Sequence, residues 1–279
     1  MSEQDPRTWE SRIFRVQRDR NARTSPLWDA MRPHRLRVTR EILRAGMGGR
    51  LVVFGAGNCN DLELGELAAA FAEVHLVDLD GEAMDSGVRR QGLCSNERLR
   101  LHGGIDFSGL GHALSGDALD TNAFASLVRD GIGRNLAERL PPSDVVVSTC
   151  VLSQLIDSVA RTAPSDVAAK ERAVVVRDQH LDMLIERTLA GGVALLIADL
   201  VSSDTAPTLR TCPELALPKL RDELIATHNY FHGTNPYAIE QALARRHPQA
   251  ISKLERRPPW RWSIGERAFL VTALGMKRA

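Results

Sequence analysis

The chain has 279 residues, 43% of them apolar and 25% charged, and a formal net charge of +1. That is enough for one large α/β domain with its own core and no disulfide or metal staple, while the near-neutral balance excludes the strong positive field of many nucleic-acid binders. The four cysteines (Cys59, Cys94, Cys150, Cys212) form no Cys-x-x-Cys pair, the charged first twenty residues lack a signal-peptide core, and no uncharged run reaches the roughly 20 residues that span a bilayer, so a reduced, cytoplasmic protein without metal or membrane partner is expected.

Residues 1–48 are basic and carry loosely helical apolar positions: Ile13, Val16, Leu27, Trp28 and Met31, then Leu36, Val38, Ile42 and Leu43 over 36–45. They are expected to form a helical extension or lid, ended by Gly46, Gly48 and Gly49. From residue 49 to 279 strands and helices alternate. Residues 51–54 are a fully apolar run, as in a buried parallel strand, and 55–60 are a turn. A helix over 62–71, a strand over 74–77, a helix over 81–91 and a short strand over 99–101 follow. The long connection 108–142 is expected to hold a helix near 123–140. Strands over 144–147 and 193–197 flank a long amphipathic helix over 167–189. The order predicts a doubly wound, mostly parallel Rossmann-like sheet. In the tail, helices are expected over 220–226 and 237–245. The strands 251–256 and 268–274, linked through Pro258-Pro259 and Gly265, are too close for a crossover and must be antiparallel.

The segment Leu51-Val-Val-Phe-Gly55-Ala56-Gly57-Asn58-Cys59-Asn60-Asp61 is a strand, a glycine turn and a helix start. Gly55 suits a tight turn, and Gly57 lets a ligand approach the backbone. Free N–H groups at the helix start favour a polar or anionic group. Asp78, at the end of the second strand and 23 residues beyond Gly55, can accept from both ribose hydroxyls of an adenosine, and Asp80 competes for that role. Asp106, beside Phe107 past the third strand, can accept from an adenine amino group or cap its own loop. A dinucleotide wants a third glycine and a helix dipole on its pyrophosphate. Asn60 and Asp61 stand there instead, and a carboxylate repels a pyrophosphate while tolerating a sulfonium.

Together these residues resemble the class I S-adenosylmethionine (SAM)-dependent methyltransferases over about 51–274. Val-Val-Phe-Gly-Ala-Gly-Asn-Cys-Asn-Asp is similar to the glycine-rich first motif, Val74-His-Leu-Val-Asp78-Leu79-Asp80 to the ribose-binding strand end, Asp144-Val-Val-Val-Ser-Thr149-Cys150-Val-Leu-Ser-Gln154 to the fourth strand and its loop, and Gly191-Gly-Val-Ala-Leu-Leu-Ile-Ala-Asp199 to the fifth. The antiparallel tail hairpin is the family's addition to a Rossmann-like sheet, giving a seven-stranded methyltransferase fold. Phe54 and Cys59 depart from the family pattern, which often has an acid before the first glycine and a third glycine at the second position. The resemblance implies that Gly55, Ala56, Gly57, Asn58 and Asn60 wrap the cofactor, that Asp78 and Leu79 hold the ribose, that Asp106 and Phe107 flank adenine, and that Thr149, Cys150 and Gln154 line the sulfonium side. The cofactor implied is SAM, released as S-adenosylhomocysteine (SAH).

Methyl transfer needs a nucleophile held in line with the activated carbon, and a base when the acceptor is a hydroxyl or a protonated amine. The segment His228-Asn-Tyr230-Phe-His232-Gly-Thr-Asn235-Pro-Tyr237 concentrates polar and aromatic groups and suits a small ligand, or serves as a capped loop. His232 is the first candidate base, Tyr230 the second and His180 the third. His34, Asp199, Asn235 and Tyr237 are candidate acceptor contacts. A small-molecule methyl acceptor is the expected substrate, with a homodimer left open. Nucleic acid is disfavoured by charge, with the Arg-rich stretch 12–44 as the feature pointing the other way.

Overall fold

The computed structural model describes residues 9–113, 120–136, 139–161 and 163–279. Helices α1 (Trp9–Thr24) and α2 (Arg32–Ala45) precede β1 (Gly48–Phe54), α3 (Leu64–Ala70), β2 (Phe71–Val77), α4 (Gly81–Arg90) and β3 (Leu99–His102). After α5 (Leu110–Ala113), α6 (Thr121–Leu136), β4 (Ser143–Thr149), α7 (Leu152–Ala160), α8 (Asp166–Arg187) and β5 (Thr188–Ser202), the chain closes with α9 (Leu217–Ala226), α10 (Pro236–Arg246), β6 (Ile251–Ile264) and β7 (Arg267–Arg278). Positions 137–138 of the expected connection helix lie outside the described residues. Among those residues, no helix is long and apolar enough to cross a membrane.

The seven strands form one sheet in the order β3-β2-β1-β4-β5-β7-β6, with β7 antiparallel to both β5 and β6 and the other pairings parallel. The doubly wound sheet and its antiparallel closure are as the sequence led us to expect. Alternation along the strands divides the core. Leu51, Val53, Val145 and Val147 are buried with Val38 and Ile42 of α2, Leu64 and Leu67 of α3 and Met84 of α4. Val52, Phe54 and Val146 point the other way, to Leu181 and Leu184 of α8 and Ile239 of α10. Because α2 buries Val38 and Ile42 in the same core as the strands, that part of the N-terminal extension belongs to a sheet layer. The strand order reverses between β1 and β4, the point where doubly wound sheets open a crevice at their C-terminal edge.

Two expectations need correction. The tail strands are much longer than the sequence pattern, because β6 runs through Pro258 and Pro259. Its register against β7 shifts between Arg257 and Trp260, and as the outermost strand it tolerates residues without an N–H. The stretch after Cys150, expected to be a loop, is α7. Its Leu152, Ile156 and Val159 recur at helical spacing and are buried, a pattern too short to stand out beside the strand before it.

The glycine turn after β1 is held from behind by α4. A Cβ on Gly87 would lie 2.4 Å from the Asn58 carbonyl oxygen and 2.9 Å from Cys59 Cβ, so the helix approaches that closely only with glycine there. Replacing an interior helical glycine by alanine ordinarily stabilises by up to about 1 kcal/mol. Here Gly87→Ala is expected to destabilise by about 1–3 kcal/mol through overpacking, measured by urea unfolding.

Candidate functional site

The crevice at the C-terminal edge is a cleft of about 470 Å³, lined by Asp78 and Leu79 after β2, Ile105, Asp106, Phe107 and Ser108 after β3, Val151, Gln154, Leu155 and Ser158 on or before α7, and Ile13, Val16, Gln17 and Arg20 of α1. Its walls are mostly apolar, with a buried carboxylate at one end.

Asp78 is 2% exposed. Its Oδ2 accepts from the Gly57 N–H at 2.8 Å and its Oδ1 from the Asp80 N–H at 2.9 Å. Burial pushes its carboxyl up to about 6, opposed by the backbone donors. Asp80, its rival in the sequence, caps α4 by accepting from the Ala83 N–H at 3.1 Å and takes the Asn21 amide at 3.1 Å. The two acids therefore divide: Asp78 faces the cleft and Asp80 secures a helix and the lid. Asp106 also lines the cleft, yet it accepts from the Ser108 N–H and hydroxyl and from the Gly111 N–H, so it acts as a loop cap.

Gly55 and Gly57 take positive φ of 80° and 48°, and Cys59, at the usual third glycine, takes 56°, a left-handed conformation costly for a side chain. Several N–H groups of this turn and of the helix start after it are bonded within the protein. Gly57 N–H goes to Asp78, Cys59 to the Ala56 carbonyl, Asn60 to the Asn58 side chain, Leu62 to the Cys59 carbonyl, Glu63 to Thr39 and Leu64 to Gln91.

Asn58 and Asn60 turn their amides to the N-terminal segment. Asn58 donates to the Asn21 carbonyl and Thr24 hydroxyl at 3.0 and 2.9 Å, and Asn60 donates to the Thr24 carbonyl at 2.7 Å. Asn21 Oδ1 sits 3.0 Å from where a Gly57 Cβ would be. Across the cleft Arg20 donates to Gln154 at 3.2 Å and pairs with Asp157 at 2.9 Å. Helix α1 thus roofs the cleft. The sequence pointed to a lid, but its contact residues Gln17, Arg20 and Asn21 were not singled out. Their only signal was that they share a helix with Ile13 and Val16.

At the tip of β4, Thr149 donates to the Phe54 and Gly55 carbonyls at 3.2 and 3.1 Å, and Gln154 donates to the Cys150 carbonyl at 3.0 Å. Cys150 is buried with φ 47°, and burial holds its thiol well above the usual range. Asp199 near the end of β5 is buried and takes both oxygens' bonds from the Ser153 hydroxyl, at 2.7 and 2.9 Å, with its carboxyl pushed up by burial.

The candidate bases do not gather at the cleft. His232 is exposed, and Tyr230 packs against the cluster of Leu200, Leu217 and Leu224. His180 is buried beneath the β4 tip with Nε2 2.8 Å from the Ser148 hydroxyl, and burial lowers it to about 4, leaving it neutral. Asn235 caps α10 by accepting from the Tyr237 N–H at 3.0 Å, while the Tyr237 hydroxyl donates to Asp222 at 2.8 Å. The tail segment is thus a capped loop over β5 in this structure. His34 is buried among Trp260, Trp262 and Asp61. Among the described residues no group of metal-ligating side chains is assembled.

No protein-family model and no curated protein sequence matches the chain. Solved structures share its architecture at low identity. A SAM-dependent methyltransferase from Leishmania major superposes with TM-score 0.51 at 11% identity, over 98% of this chain and 85% of that one. An O-methyltransferase family protein from Burkholderia thailandensis gives 0.45 at 16% over 99% and 64%. The N-methyltransferase NodS from Bradyrhizobium japonicum, in complex with SAH, gives 0.42 at 12% over 88% and 86%.

Asp61 supplies a pH test of the site's electrostatics. Burial pushes its carboxyl up to about 7, with Arg35 opposing and Asp199 adding to the rise. The folded state then holds a proton that the unfolded chain releases near pH 4, so this group's contribution to stability falls as pH rises from about 4 through 7. Asp61→Asn removes that penalty. Its melting temperature relative to wild type should improve between pH 5 and pH 8, by an amount equivalent to about 1–2 kcal/mol after discounting for the partial opening of the side chain. By its strand order, antiparallel closure and switch-point cleft, the chain has the seven-stranded class I methyltransferase fold.

Proposed function

We propose that this protein is a SAM-dependent methyltransferase acting on a small molecule. The observation that carries the reading is the cleft at the β1–β4 switch point. It has a buried carboxylate at the β2 tip and apolar walls from Leu79, Ile105, Phe107 and Val151, beside a glycine turn with Asp61 at its end. Such a cleft fits an adenosine, and the carboxylates of Asp61 and Asp78 favour one carrying a cation over one carrying two phosphates. The near-neutral charge favours a small acceptor over nucleic acid.

The residues fit the group. Each Asp78 oxygen accepts one backbone bond and retains a lone pair for a ribose hydroxyl. Leu79, Ile105, Phe107 and Val151 sandwich the adenine, and Asp106 keeps a caps-and-cleft position from which to meet its amino group. Gly55, Ala56 and Gly57 bring backbone close to the methionyl chain, with Thr149 and Cys150 beside it and Gln154 closing the cleft under Arg20. When bound, SAM supplies a methyl carbon activated by a sulfonium. The protein's share is to hold an acceptor in line with that carbon and exclude water. Helix α1, tied through Asn21, Asn58 and Asn60, does the excluding. His232, Tyr230 and His180 are not among the residues lining the cleft, although His180 packs behind its Phe107 wall, and none carries a role in the proposal.

Thermal unfolding with ligands tests it. SAH at about 100 times its dissociation constant should stabilise by about 2.7 kcal/mol, whereas NADH should leave the melting temperature unchanged. Stabilisation by NADH and not by SAH would overturn the assignment. Asp78→Asn should weaken SAH binding at least tenfold in calorimetry, and an unchanged affinity would remove the ribose role.

A further inference from the structure

Beyond the glycine turn from the adenosine cleft lies a second polar cluster, built from α2, the end of the turn, and the hairpin β6–β7. The His34 side chain is 1% exposed. Its Nδ1 accepts from the Trp260 indole N–H at 3.1 Å, and its ring stacks on Trp262 with centroids 4.4 Å apart and planes 16° from parallel. Burial keeps it neutral, down to about 3. With Nδ1 accepting, the single proton must sit on Nε2. That N–H faces Asp61 Oδ1 at 3.6 Å, beyond hydrogen-bond range. His34 Nε2, Asp61 Oδ1 and Trp262 Nε1 are all sealed from solvent and have no hydrogen-bond partner. Buried polar atoms are normally paired, so three unmet atoms around one stacked aromatic group mark a place made for something else. The Asp61 side chain keeps 20% of its surface open, which provides the way in.

The charge of the cluster selects its occupant. Asp61 and Asp199 repel one another, and both raise the Cys150 thiol at the β4 tip, so the two acids flank the point where β4 and β5 end. The nearest cation, Arg35, is engaged elsewhere: it donates to Glu63 and the Trp28 carbonyl at 2.8 and 2.7 Å and lies over the Trp28 ring at 3.4 Å. Asp61, whose cationic neighbour Arg35 is hydrogen-bonded elsewhere, stands beside His34 with Trp260 and Trp262, and that setting favours a positively charged ligand with a flat or apolar body.

We infer that this cluster is the methyl-acceptor subsite and that the acceptor is a small amine, bound as its ammonium against Asp61 on the aromatic wall of His34, Trp260 and Trp262. The inference rests on the methyltransferase reading and narrows its acceptor from hydroxyl or amine to amine. An alcohol brings no charge to offset the two acids. The proton accounting closes within the cluster. The ammonium gives one proton to the Asp61 carboxylate, and the freed nitrogen lone pair forms the N–C bond to the methyl carbon. The C–S bonding pair returns to sulfur, leaving a thioether and a methylammonium. The His34 Nε2–H and Trp262 Nε1–H remain for acceptor atoms on the same ligand.

The test uses the full chain saturated with SAH and three matched pairs of probes: benzylamine and benzyl alcohol, phenethylamine and 2-phenylethanol, tryptamine and tryptophol. At least one amine should raise the melting temperature and bind in calorimetry at least tenfold more tightly than its alcohol, and Asp61→Asn should erase that preference while SAH affinity stays within twofold. If SAH binds and no amine exceeds its alcohol, the amine assignment is overturned and the methyltransferase reading stands. If SAH itself fails to bind, both fall. Should Asp61→Asn not fold, the wild-type amine-to-alcohol ratio decides alone.

Discussion

The structure depends on one buried carboxylate. Asp78 sits almost fully buried at the tip of β2, and its two oxygens take the N–H groups of Gly57 and Asp80. One bond fixes the turn after β1 and the other fixes the entry to α4. The ends of β1 and β2 and the start of α4 are thereby referred to one side chain. Burial works against the charge and the backbone donors work for it, which is the balance expected where a carboxylate must be both a structural acceptor and a ligand contact.

Around that point the turn is closed on every side. Gly87 lets α4 press against Asn58 and Cys59, Thr149 ties the β4 tip to Phe54 and Gly55, and Asn58 and Asn60 anchor the end of α1. Several backbone donors of the turn are used internally, and side chains add to the charge selectivity at this edge. Those side chains are acids: Asp78 and Asp106 in the cleft, Asp61 and Asp199 beyond the turn. An edge so furnished favours positive charge on its ligands, in both the adenosine cleft and the aromatic cluster beside it.

The acids owe their raised protonation range to packing. Asp61 is held between Arg35, which favours its charge, and burial with Asp199, which disfavour it. Such a group can exchange a proton near neutral pH, which an isolated surface aspartate cannot. Beside it, Trp260 and Trp262 on β6 fix both the tautomer and the plane of His34.

Much of this was legible in the sequence. The apolar run ending at Phe54, the two glycines, and Asp78 at the next strand end fixed the topology and the cleft's location, since periodicity and glycine conformations are local properties of the chain. The close spacing of the last two strands dictated an antiparallel hairpin. Local pattern could not decide which polar atoms would be consumed by the fold itself. Asp106, Asn235 and Tyr237 are ligand-like in sequence and are satisfied within their own loops and helices. His232 and Tyr230 sit in the densest polar stretch and lie away from the cleft. Conversely His34, Asp61, Trp260 and Trp262, more than two hundred residues apart at the extremes, become one cluster only when β6 is laid against α2. A side chain's availability depends on partners brought from distant parts of the chain, and tertiary packing alone supplies them.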